Sequence, residues 1–362
     1  MQCGSSFDDD YGPQRLAVEL ANICNLHCSY CLRSEEALYS ERAKFFPLAL
    51  LARIVKDARE VVGISRIMFT GGEPTLHPQF SGVLETVGAE GLKSSFVTNG
   101  WHFERIWPAI LANRQSITHV AFSVDGITQE THDRWRGSGS FERLVRAFSR
   151  CYKSNLPFVM KIAIRRDTLD QLEQIAIFAA RMGASSLSFG HIMPTSGASE
   201  DESALSLQEQ RVAEQEIALL ARILKMNIGI DVGYYNIDER APCSPLAGRS
   251  ANVDYLGRLT LCCNLSGFRG AAEESDVVAD LNAESFASAY NRLGEVAAAQ
   301  LQKRKNALAA LRSQGVTPDL YTGSPCLFCL QSYGKIPWHE ANAGASASAA
   351  RSLPIMTAAV QS

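Results

Sequence analysis

Short apolar runs alternate with amphipathic stretches from residue 15 to about residue 230. Six of these runs have the length and the Val, Ile, Phe and Leu content that are typical of buried β-strands. They occupy residues 15–20, 66–70, 94–98, 119–124, 158–164 and 186–192. Between and after them, apolar side chains recur at helical spacing. We therefore predict helices near residues 48–61, 80–87, 101–113, 140–153, 168–182 and 206–225.

This order of elements predicts an α/β fold. Six strand–helix units in series favour a parallel sheet with helices packed outside it. Periodicity alone leaves open whether that sheet is doubly wound or barrel-like. In a barrel, the active site lies at the carboxyl ends of the strands. Residues that could bind a ligand or take part in catalysis follow the first four strands. They are Cys24–Cys31, Gly71–Pro74, Asn99 and Asp125.

The pattern changes after about residue 235. Within residues 240–338 we expect shorter elements, punctuated by Cys, Gly and Pro. Residues 341–362 are rich in Ala and Ser, which is typical of a disordered tail. The chain is therefore predicted to divide into four parts. These are an N-terminal tail (1–14), a core (15–235), a small metal-organised domain (236–340) and a C-terminal tail (341–362).

Composition and charge exclude several classes of protein. Hydrophobic residues make up 46% of the 362 residues, so a sizeable core is expected. The formal net charge is −3 and no long basic run occurs, so we expect no nucleic-acid partner. No apolar stretch reaches the length of a membrane span, and the polar N-terminus does not resemble a signal peptide. We therefore expect a cytoplasmic protein without a membrane partner, whose ten cysteines serve metal binding or catalysis.

The first cysteine group is compact. Cys24, Cys28 and Cys31 lie within eight residues, directly after the first predicted strand. Three thiolates can hold three corners of a four-iron cube and leave the fourth iron open for a small molecule. The alternative is a zinc site, which needs a fourth ligand, and only His27 is close in sequence.

The spacing Cys-x3-Cys-x2-Cys, with Tyr30 before the last cysteine, resembles the signature of the radical S-adenosylmethionine (SAM) family. Three further motifs recur in the order that this family shows. They are Gly71-Gly72-Glu73-Pro74, Thr98-Asn99-Gly100 and Ser123-Val124-Asp125-Gly126, the last followed by His132-Asp133 and Arg136. The resemblance covers residues 15 to about 230. It implies a partial (β/α)6 TIM-like barrel, a [4Fe–4S] cluster on the three cysteines, and SAM bound at the open iron.

The resemblance also implies which residues contact SAM: Tyr30, Gly71, Gly72, Glu73, Asn99, Ser123, Asp125 and Arg136. The glycine turn would approach the SAM amino group with its backbone, where a side chain has no room. Ser123 and Arg136 would contact the carboxylate or ribose, and Arg suits a carboxylate because its fork makes two parallel hydrogen bonds. Tyr30 would lie near the adenine. The alternative for Arg136 is a surface salt bridge.

The second cysteine group spans a longer stretch. Cys243 and Cys262 flank Gly257 in a Cys-x13-Gly-x4-Cys pattern, and Cys326 and Cys329 follow as Cys-x2-Cys. This layout resembles the twitch domain, a shortened form of the SPASM domain, and implies one auxiliary [4Fe–4S] cluster. Four thiolates would saturate that cluster, which favours a role in electron transfer. A structural zinc ribbon is the alternative.

Cys263 stands outside that four-cysteine pattern. In the sulfatase-maturing enzymes that the chain resembles, an acidic base occupies this position, whereas here it is a thiol. A thiol can return a hydrogen atom to a carbon radical or act as an acid or base, so Cys263 is the candidate catalytic residue. The alternatives are a spare cluster ligand and a packed small side chain.

The function that the resemblance implies is reductive cleavage of SAM to a 5′-deoxyadenosyl radical, which removes a hydrogen atom from a substrate. We expect oxidation of a peptide or of a small hydroxylated metabolite, with a flavodoxin or ferredoxin-type reductant. A radical epimerase that uses Cys263 is the first alternative. A non-catalytic iron–sulfur or zinc module is the second, and the ordered motifs after successive strands argue against it.

Overall fold

The structure, a computed structural model, describes residues 15–33, 41–195, 204–269 and 274–338. The two predicted tails, 1–14 and 341–362, lie outside the described residues.

Ten strands form one sheet. They are β1 (Arg15–Glu19), β2 (Arg66–Thr70), β3 (Lys93–Thr98), β4 (Ile117–Val124), β5 (Phe158–Ile164), β6 (Ser186–His191), β7 (Asn227–Val232), β8 (Ser250–Val253), β9 (Arg258–Thr260) and β10 (Val277–Asp280). Their spatial order is β10-β9-β8-β1-β2-β3-β4-β5-β6-β7. Strands β1 to β7 pair in parallel, and β8 pairs in parallel with β1. Strands β9 and β10 are antiparallel to their neighbours.

The sequential order of β1 to β7 decides what periodicity left open. A doubly wound sheet reverses its strand order at a switch point, so its helices cover both faces. Here each strand pairs with the next along the chain. Right-handed crossovers then place the connecting helices on one face. The other face lines the inside of an open, barrel-like sheet, as the α/β prediction required.

Ten α-helices accompany the described strands. They are α1 (Leu48–Asp57), α2 (Phe80–Ala89), α3 (Phe103–Ala112), α4 (Gln129–Arg136), α5 (Ser140–Lys153), α6 (Leu172–Met182), α7 (Leu207–Ile223), α8 (Phe286–Ser313), α9 (Leu320–Gly323) and α10 (Pro325–Ser332). Shorter turns of π- or 3₁₀-helix cover Ala58–Val62, Pro74–Leu76 and Arg166–Gln171. Every strand and helix predicted from the apolar pattern is present, with bounds shifted by a few residues.

The core lies between the helix-facing side of the strands and the helices. Phe122 of β4 is fully buried and touches three other aromatic rings, those of Phe103, Phe148 and Phe158. Alternate strand residues point to opposite faces, so the sequence neighbour Ser123 points to the inner face, where it is half-buried. This alternation separates an aromatic outer core from a more polar inner surface.

Two elements depart from the expectations. Helix α4 was not predicted, because its sequence QETHDRWR has no apolar stripe and only His132 is buried. It begins at a capping box in which the side chains of Thr128 and Thr131 satisfy free backbone N–H groups. The expectation of short elements in residues 240–338 was wrong for α8, whose 28 residues make it the longest helix in the described ranges.

The segment after residue 235 continues the sheet. Strand β8 pairs with β1 over Arg15–Val18 and Ser250–Val253, and α8 packs against α1 as well as against β9 and β10. The boundary at residue 235 stays a prediction. Among the described residues, no helix is both long and apolar enough to cross a bilayer.

We predict that Phe122→Ala lowers the free energy of unfolding by about 3–5 kcal/mol, because it leaves a cavity among three aromatic rings. The measurement is urea unfolding followed by circular dichroism. Leu111→Ala on α3 is the control, since Leu111 is 52% exposed and its loss should cost less than about 0.5 kcal/mol. Equal effects of the two substitutions would contradict this account of the core.

Candidate active site

Cys24, Cys28 and Cys31 lie in the loop that follows β1, and all three are free and half-buried. Two N–H groups point at the Cys24 sulfur: the backbone N–H of Leu26 at 3.4 Å and the Asn99 amide at 3.7 Å. Burial, with the nearby Glu73 carboxylate, raises the pKa of Cys24 to about 12. Burial also raises the pKa of Cys28. The loop is thus a partly enclosed thiol site with hydrogen-bond donors aimed at sulfur.

The Gly71-Gly72 turn packs directly against the start of this loop. The Gly72 N–H donates to the Ala21 carbonyl at 2.8 Å, and the Glu73 N–H donates to the Ile23 carbonyl at 2.8 Å. A Cβ on Gly72 would lie 2.1 Å from the Ile23 oxygen, far inside van der Waals contact. Gly71 also has a φ of 125°, which favours glycine. Close contact with the backbone of the protein therefore requires glycine at both positions. The sequence analysis explained these glycines only by the close approach of the ligand.

Glu73 is buried and fastens this turn to the next motif. Its Oε1 accepts hydrogen bonds from the Thr75 hydroxyl at 2.6 Å and the Thr98 hydroxyl at 2.7 Å, and its Oε2 accepts from the Asn99 N–H at 2.8 Å. Burial raises the pKa of this carboxyl. Glu73 therefore joins two turns, and its predicted contact with SAM stays a prediction.

Asn99 reaches from the end of β3 to the cysteine loop. Its side-chain amide donates to Asn25 Oδ1 at 3.0 Å, and its Oδ1 accepts from the Trp101 N–H at 2.9 Å. With its contact to the Cys24 sulfur, Asn99 fixes the position of that cysteine relative to β3.

Asp125, at the end of β4, is the centre of a buried charge cluster. The Tyr30 hydroxyl and the Arg136 Nε both donate to Asp125 Oδ2. The Arg165 guanidinium donates to Oδ1 and to the backbone carbonyl of Asp125, each at 2.8 Å. Burial alone would raise the pKa of Asp125, but Arg136 and Arg165 hold it below its usual range. One buried carboxylate therefore orients two arginines and the tyrosine of the cysteine loop.

Arg165 was missed in the sequence analysis. It follows β5 directly, is 1% exposed, and its guanidinium carbon lies 4.3 Å above the centre of the Trp135 ring. Asp167 accepts from its Nε at 2.9 Å and from the Trp135 indole at 3.0 Å. Its place at the carboxyl end of a strand was the available signal, since the other site residues occupy the same position.

Ser123 lies on the inner face in register with Lys161 of β5, which is in register with Ser188 of β6. The Lys161 ammonium pairs with Asp231 of β7 and lies 3.5 Å from the Ser188 hydroxyl. Lys161 and Asp231 are about one-third exposed, at 32% and 27%. Of this polar row, only Ser123 was predicted from the sequence, whereas Lys161, Ser188 and Asp231 were not.

Small or apolar residues precede and follow the polar row along the strands. One level towards the amino ends of the strands, Val97, Ala121 and Val159 are in register with one another. One level towards the carboxyl ends, Ala163 and Gly190 are in register. The polar row is therefore flanked along the strands by residues with small or apolar side chains.

The second cysteine group converges in space as its spacing predicted. Four thiols line one cavity with about 340 Å³ of empty space, part of it open to solvent: those of Cys243, Cys262, Cys326 and Cys329. The remaining lining is mainly apolar, with Leu246, Leu261, Leu265 and Leu330 among it. Burial raises the pKa of Cys243, Cys326 and Cys329, and the hydrogen bond to Cys263 followed by burial raises that of Cys262. We call this the four-thiol cavity.

Hydrogen-bond donors are aimed at these sulfurs as well. The Gly233 N–H lies 3.4 Å from the Cys326 sulfur, and the Asn264 N–H lies 3.5 Å from that of Cys262. Cys263 does not line the four-thiol cavity. Its charged neighbours, Arg15, Glu19 and Arg33, belong to β1 and the first cysteine loop.

The segment after Cys262 holds the first cysteine loop in place. Arg269 donates from Nε to the Cys31 carbonyl at 2.6 Å and from Nη2 to the Ser29 carbonyl at 2.7 Å. Arg33 donates back to the Ser266 carbonyl at 2.6 Å and forms a salt bridge with the buried Glu19. Charged hydrogen bonds therefore link the segment after Cys262 directly to the first cysteine loop.

Comparison with known proteins agrees with this geometry. Residues 18–179 match the family described as the radical SAM superfamily. Mycofactocin maturase MftC of Mycobacterium tuberculosis is 34% identical over 179 residues, which are 48% of this chain and 43% of that protein. PqqA peptide cyclase of Gluconobacter oxydans is 24% identical over 255 residues, 69% of this chain and 70% of that protein.

The match therefore spans less than half the length of the maturase. Among solved structures, Streptococcus suis SuiB bound to its precursor peptide SuiA has a TM-score of 0.60 at 15% identity, over 78% of this chain and 67% of that chain. The protein anSMEcpe with bound AdoMet has a TM-score of 0.61 at 16% identity, over 81% and 86%. Both likenesses confirm the fold, a partial TIM-like barrel.

A radical SAM domain implies a [4Fe–4S] cluster and SAM, and the first cysteine loop fits them. Its donor set is three thiols, which suits a cluster with one open iron. Within the described ranges, no three His, Cys, Asp or Glu side chains are spaced to hold a single metal ion. A cubane differs from a single ion because each cysteine binds a separate iron. The four-thiol cavity, with N–H groups aimed at sulfur, fits a second cluster on the same chemistry.

We predict that Arg269→Gln loosens the first cysteine loop. Each charged hydrogen bond contributes about 1.5–3 kcal/mol, and two are lost, so backbone amides of residues 24–33 should exchange hydrogen at least tenfold faster. Mass spectrometry of exchange in the metal-free protein measures this directly. Arg146→Gln, at an exposed pair with Glu142, is the control. Unchanged exchange in the loop would show that the Arg269 contacts do not hold it.

Proposed function

We propose that this chain is a radical SAM enzyme that oxidises a peptide and carries a twitch-type auxiliary [4Fe–4S] cluster on Cys243, Cys262, Cys326 and Cys329. The observation that carries the proposal is the convergence of these four thiols on one cavity, next to the loop of Cys24, Cys28 and Cys31. Two separate cysteine sites, linked by Arg269, suit two clusters. One would reduce SAM, and the other would accept an electron from the substrate.

At the first site, the chain's residues bind and orient SAM. A cluster held by Cys24, Cys28 and Cys31 would supply the electron that cleaves SAM to methionine and a 5′-deoxyadenosyl radical. Arg136 would direct its guanidinium at the SAM carboxylate, with its geometry set by Asp125. Tyr30, held by the same carboxylate, would present its ring to the adenine.

The substrate would lie on the inner face of the sheet, beside Ser123. The Lys161–Asp231 pair offers a donor and an acceptor, which match the carbonyl and N–H groups of a peptide. Ala163 and Gly190, the next residues towards the carboxyl ends of the strands, have small side chains or none. Because Lys161 is in register with Ser123, a peptide bound here is adjacent to the proposed SAM site.

Oxidation removes two hydrogens from the substrate. One leaves as a hydrogen atom to the 5′-deoxyadenosyl radical, and the second leaves as a proton and an electron. Asp231 is a carboxylate at the edge of this space and near Cys326, so it would take the proton. A cluster saturated by four thiolates would accept the electron, and a flavodoxin or ferredoxin-type protein would supply the electron for SAM cleavage.

The comparisons favour a peptide over a small hydroxylated metabolite. PqqA peptide cyclase carries a peptide in its name, and SuiB is described as bound to a precursor peptide. The substrate assay should therefore begin with short peptides encoded next to this gene, incubated without oxygen with SAM and reductant. The expected product is lighter by two hydrogens. A turnover of sugar-like alcohols alone would contradict the peptide assignment.

We predict that anaerobically reconstituted protein binds about eight iron and eight sulfide ions, as two cubane clusters require. Replacing Cys24, Cys28 and Cys31 by Ala should remove about half of the iron and all formation of 5′-deoxyadenosine. Replacing Cys243, Cys262, Cys326 and Cys329 by Ala should also remove half, yet leave slow SAM cleavage. Cys151→Ala, at a buried cysteine of α5, is the control. Bound zinc without visible absorption would refute the proposal.

The position of Cys263 supports one second candidate, a radical epimerase. Its thiol lies beside Cys262 yet outside the lining of the four-thiol cavity, so a cluster there does not require it as a ligand. A thiol can donate a hydrogen atom to a carbon radical. Such a step would change the configuration of the substrate carbon without changing its mass.

A reaction in heavy water separates the two functions. An epimerase would give a product that carries one deuterium at the inverted carbon, because a thiol proton exchanges with solvent. We predict instead a product lighter by two hydrogens, without solvent deuterium at that carbon, both in the wild type and in Cys263→Ser. A deuterated product of otherwise unchanged mass, lost in Cys263→Ser, would decide for the epimerase.

A further inference from the structure

Helix α8 directs two polar side chains towards the four-thiol cavity. Gln300 and Arg304 are one turn apart and lie on the same face of the helix. Gln300 is 7% exposed and Arg304 is 2% exposed, among buried neighbours such as Ala297 and Leu308. Polar side chains at the buried stripe of a helix cost free energy unless they find partners.

Gln300 has a sulfur as its partner. Its side-chain Nε2 lies 3.5 Å from the Cys329 sulfur and donates a hydrogen bond to it. Hydrogen bonds to cluster sulfurs are one of the factors that set the reduction potential of an iron–sulfur site.

Arg304 is only partly satisfied by the protein. Its Nη2 donates to the Asn236 and Gly323 carbonyls, the latter at 2.9 Å. Its Nε is buried and has no hydrogen-bond partner among the described residues. The guanidinium also interacts electrostatically with Cys243, Cys326 and Cys329. A buried cation with an unused N–H group beside four thiols is placed to face a negative group.

The other charges around the cavity are compensated or exposed. Asp231, which acts on Cys326, is paired with Lys161. Lys303, which acts on Cys329, is exposed to solvent. Arg304 is therefore the buried cation whose charge reaches three of the four sulfurs.

We infer that Gln300 and Arg304 set the reduction potential of the auxiliary cluster and make it a better electron acceptor. The inference rests on the proposed function, since it assumes a cluster on the four thiols. A four-thiolate cluster gains one negative charge on reduction. A buried cation and an N–H···S hydrogen bond stabilise that more negative state, because the surroundings screen charge weakly. Both therefore raise the potential.

The test is a redox titration of the full-length chain carrying Cys24→Ala, Cys28→Ala and Cys31→Ala, in which only the auxiliary site can hold a cluster. Iron content and the electron paramagnetic resonance signal report the cluster independently of activity. We expect Arg304→Gln to lower the midpoint potential by at least a tenfold change in the reduction equilibrium, about 59 mV for one electron. Arg304→Lys should retain most of the potential, because it retains the charge.

Two further variants make the outcome decisive. Arg312→Gln removes a charge from the same helix at a side chain that is 68% exposed, and should leave the potential unchanged. Gln300→Leu keeps the guanidinium and removes the N–H···S bond, and should lower the potential. If Arg304→Gln assembles no cluster, Gln300→Leu and Arg304→Lys carry the test.

Intact clusters with wild-type potentials in Arg304→Gln and Gln300→Leu would overturn the inference. So would loss of the cluster in every variant at these two positions, since the residues would then serve assembly and not potential. Absence of any cluster in the parent chain would instead refute the proposed function. The two failures are thus distinguished by the iron content of the parent.

Discussion

The close contact between the Gly71-Gly72 turn and the backbone of Ala21–Ile23 is the constraint on which the site depends. It joins the ends of β1 and β2 at a distance that no side chain allows, and it sets where the cysteine loop begins. Glu73 then carries this placement to the end of β3 through buried hydrogen bonds. Three neighbouring strands therefore fix the first thiols before any ligand binds, which is the preorganisation that a reactive intermediate requires.

Buried charge extends the same scheme to the fourth and fifth strands. Asp125 is shared between Arg136 and Arg165, and Asp167 also pairs with Arg165. Removing one partner of such a cluster is costly, since the remaining groups stay buried without compensation. Under the proposed function, the Arg136 guanidinium of this cluster would also face the carboxylate of SAM. Under the proposed function, stability and SAM binding would depend on the same residues.

Much of this arrangement follows from local sequence patterns. Strands β1 to β6 are apolar runs because they are covered by helices. Both cysteine groups could be predicted from the spacing of the cysteines. Helix α4 lacked an apolar stripe, so periodicity could not find it. Lys161, Asp231 and Arg304 were missed for a different reason. Their partners lie tens of residues away in the chain, and a single charged residue carries no pattern until the fold brings its partner close.

The parallel pairing of β1 with β8 has a consequence for synthesis. Strand β1 has one neighbour that begins at residue 66 and another that begins at residue 250, which are 184 residues apart (250 − 66). At about 5–20 residues per second, the ribosome needs roughly 9–37 s to make that stretch. Until then, β1 has an unpaired edge, and such edges are where chains aggregate. The order of translation thus leaves β1 with one unpaired edge until β8 has been made.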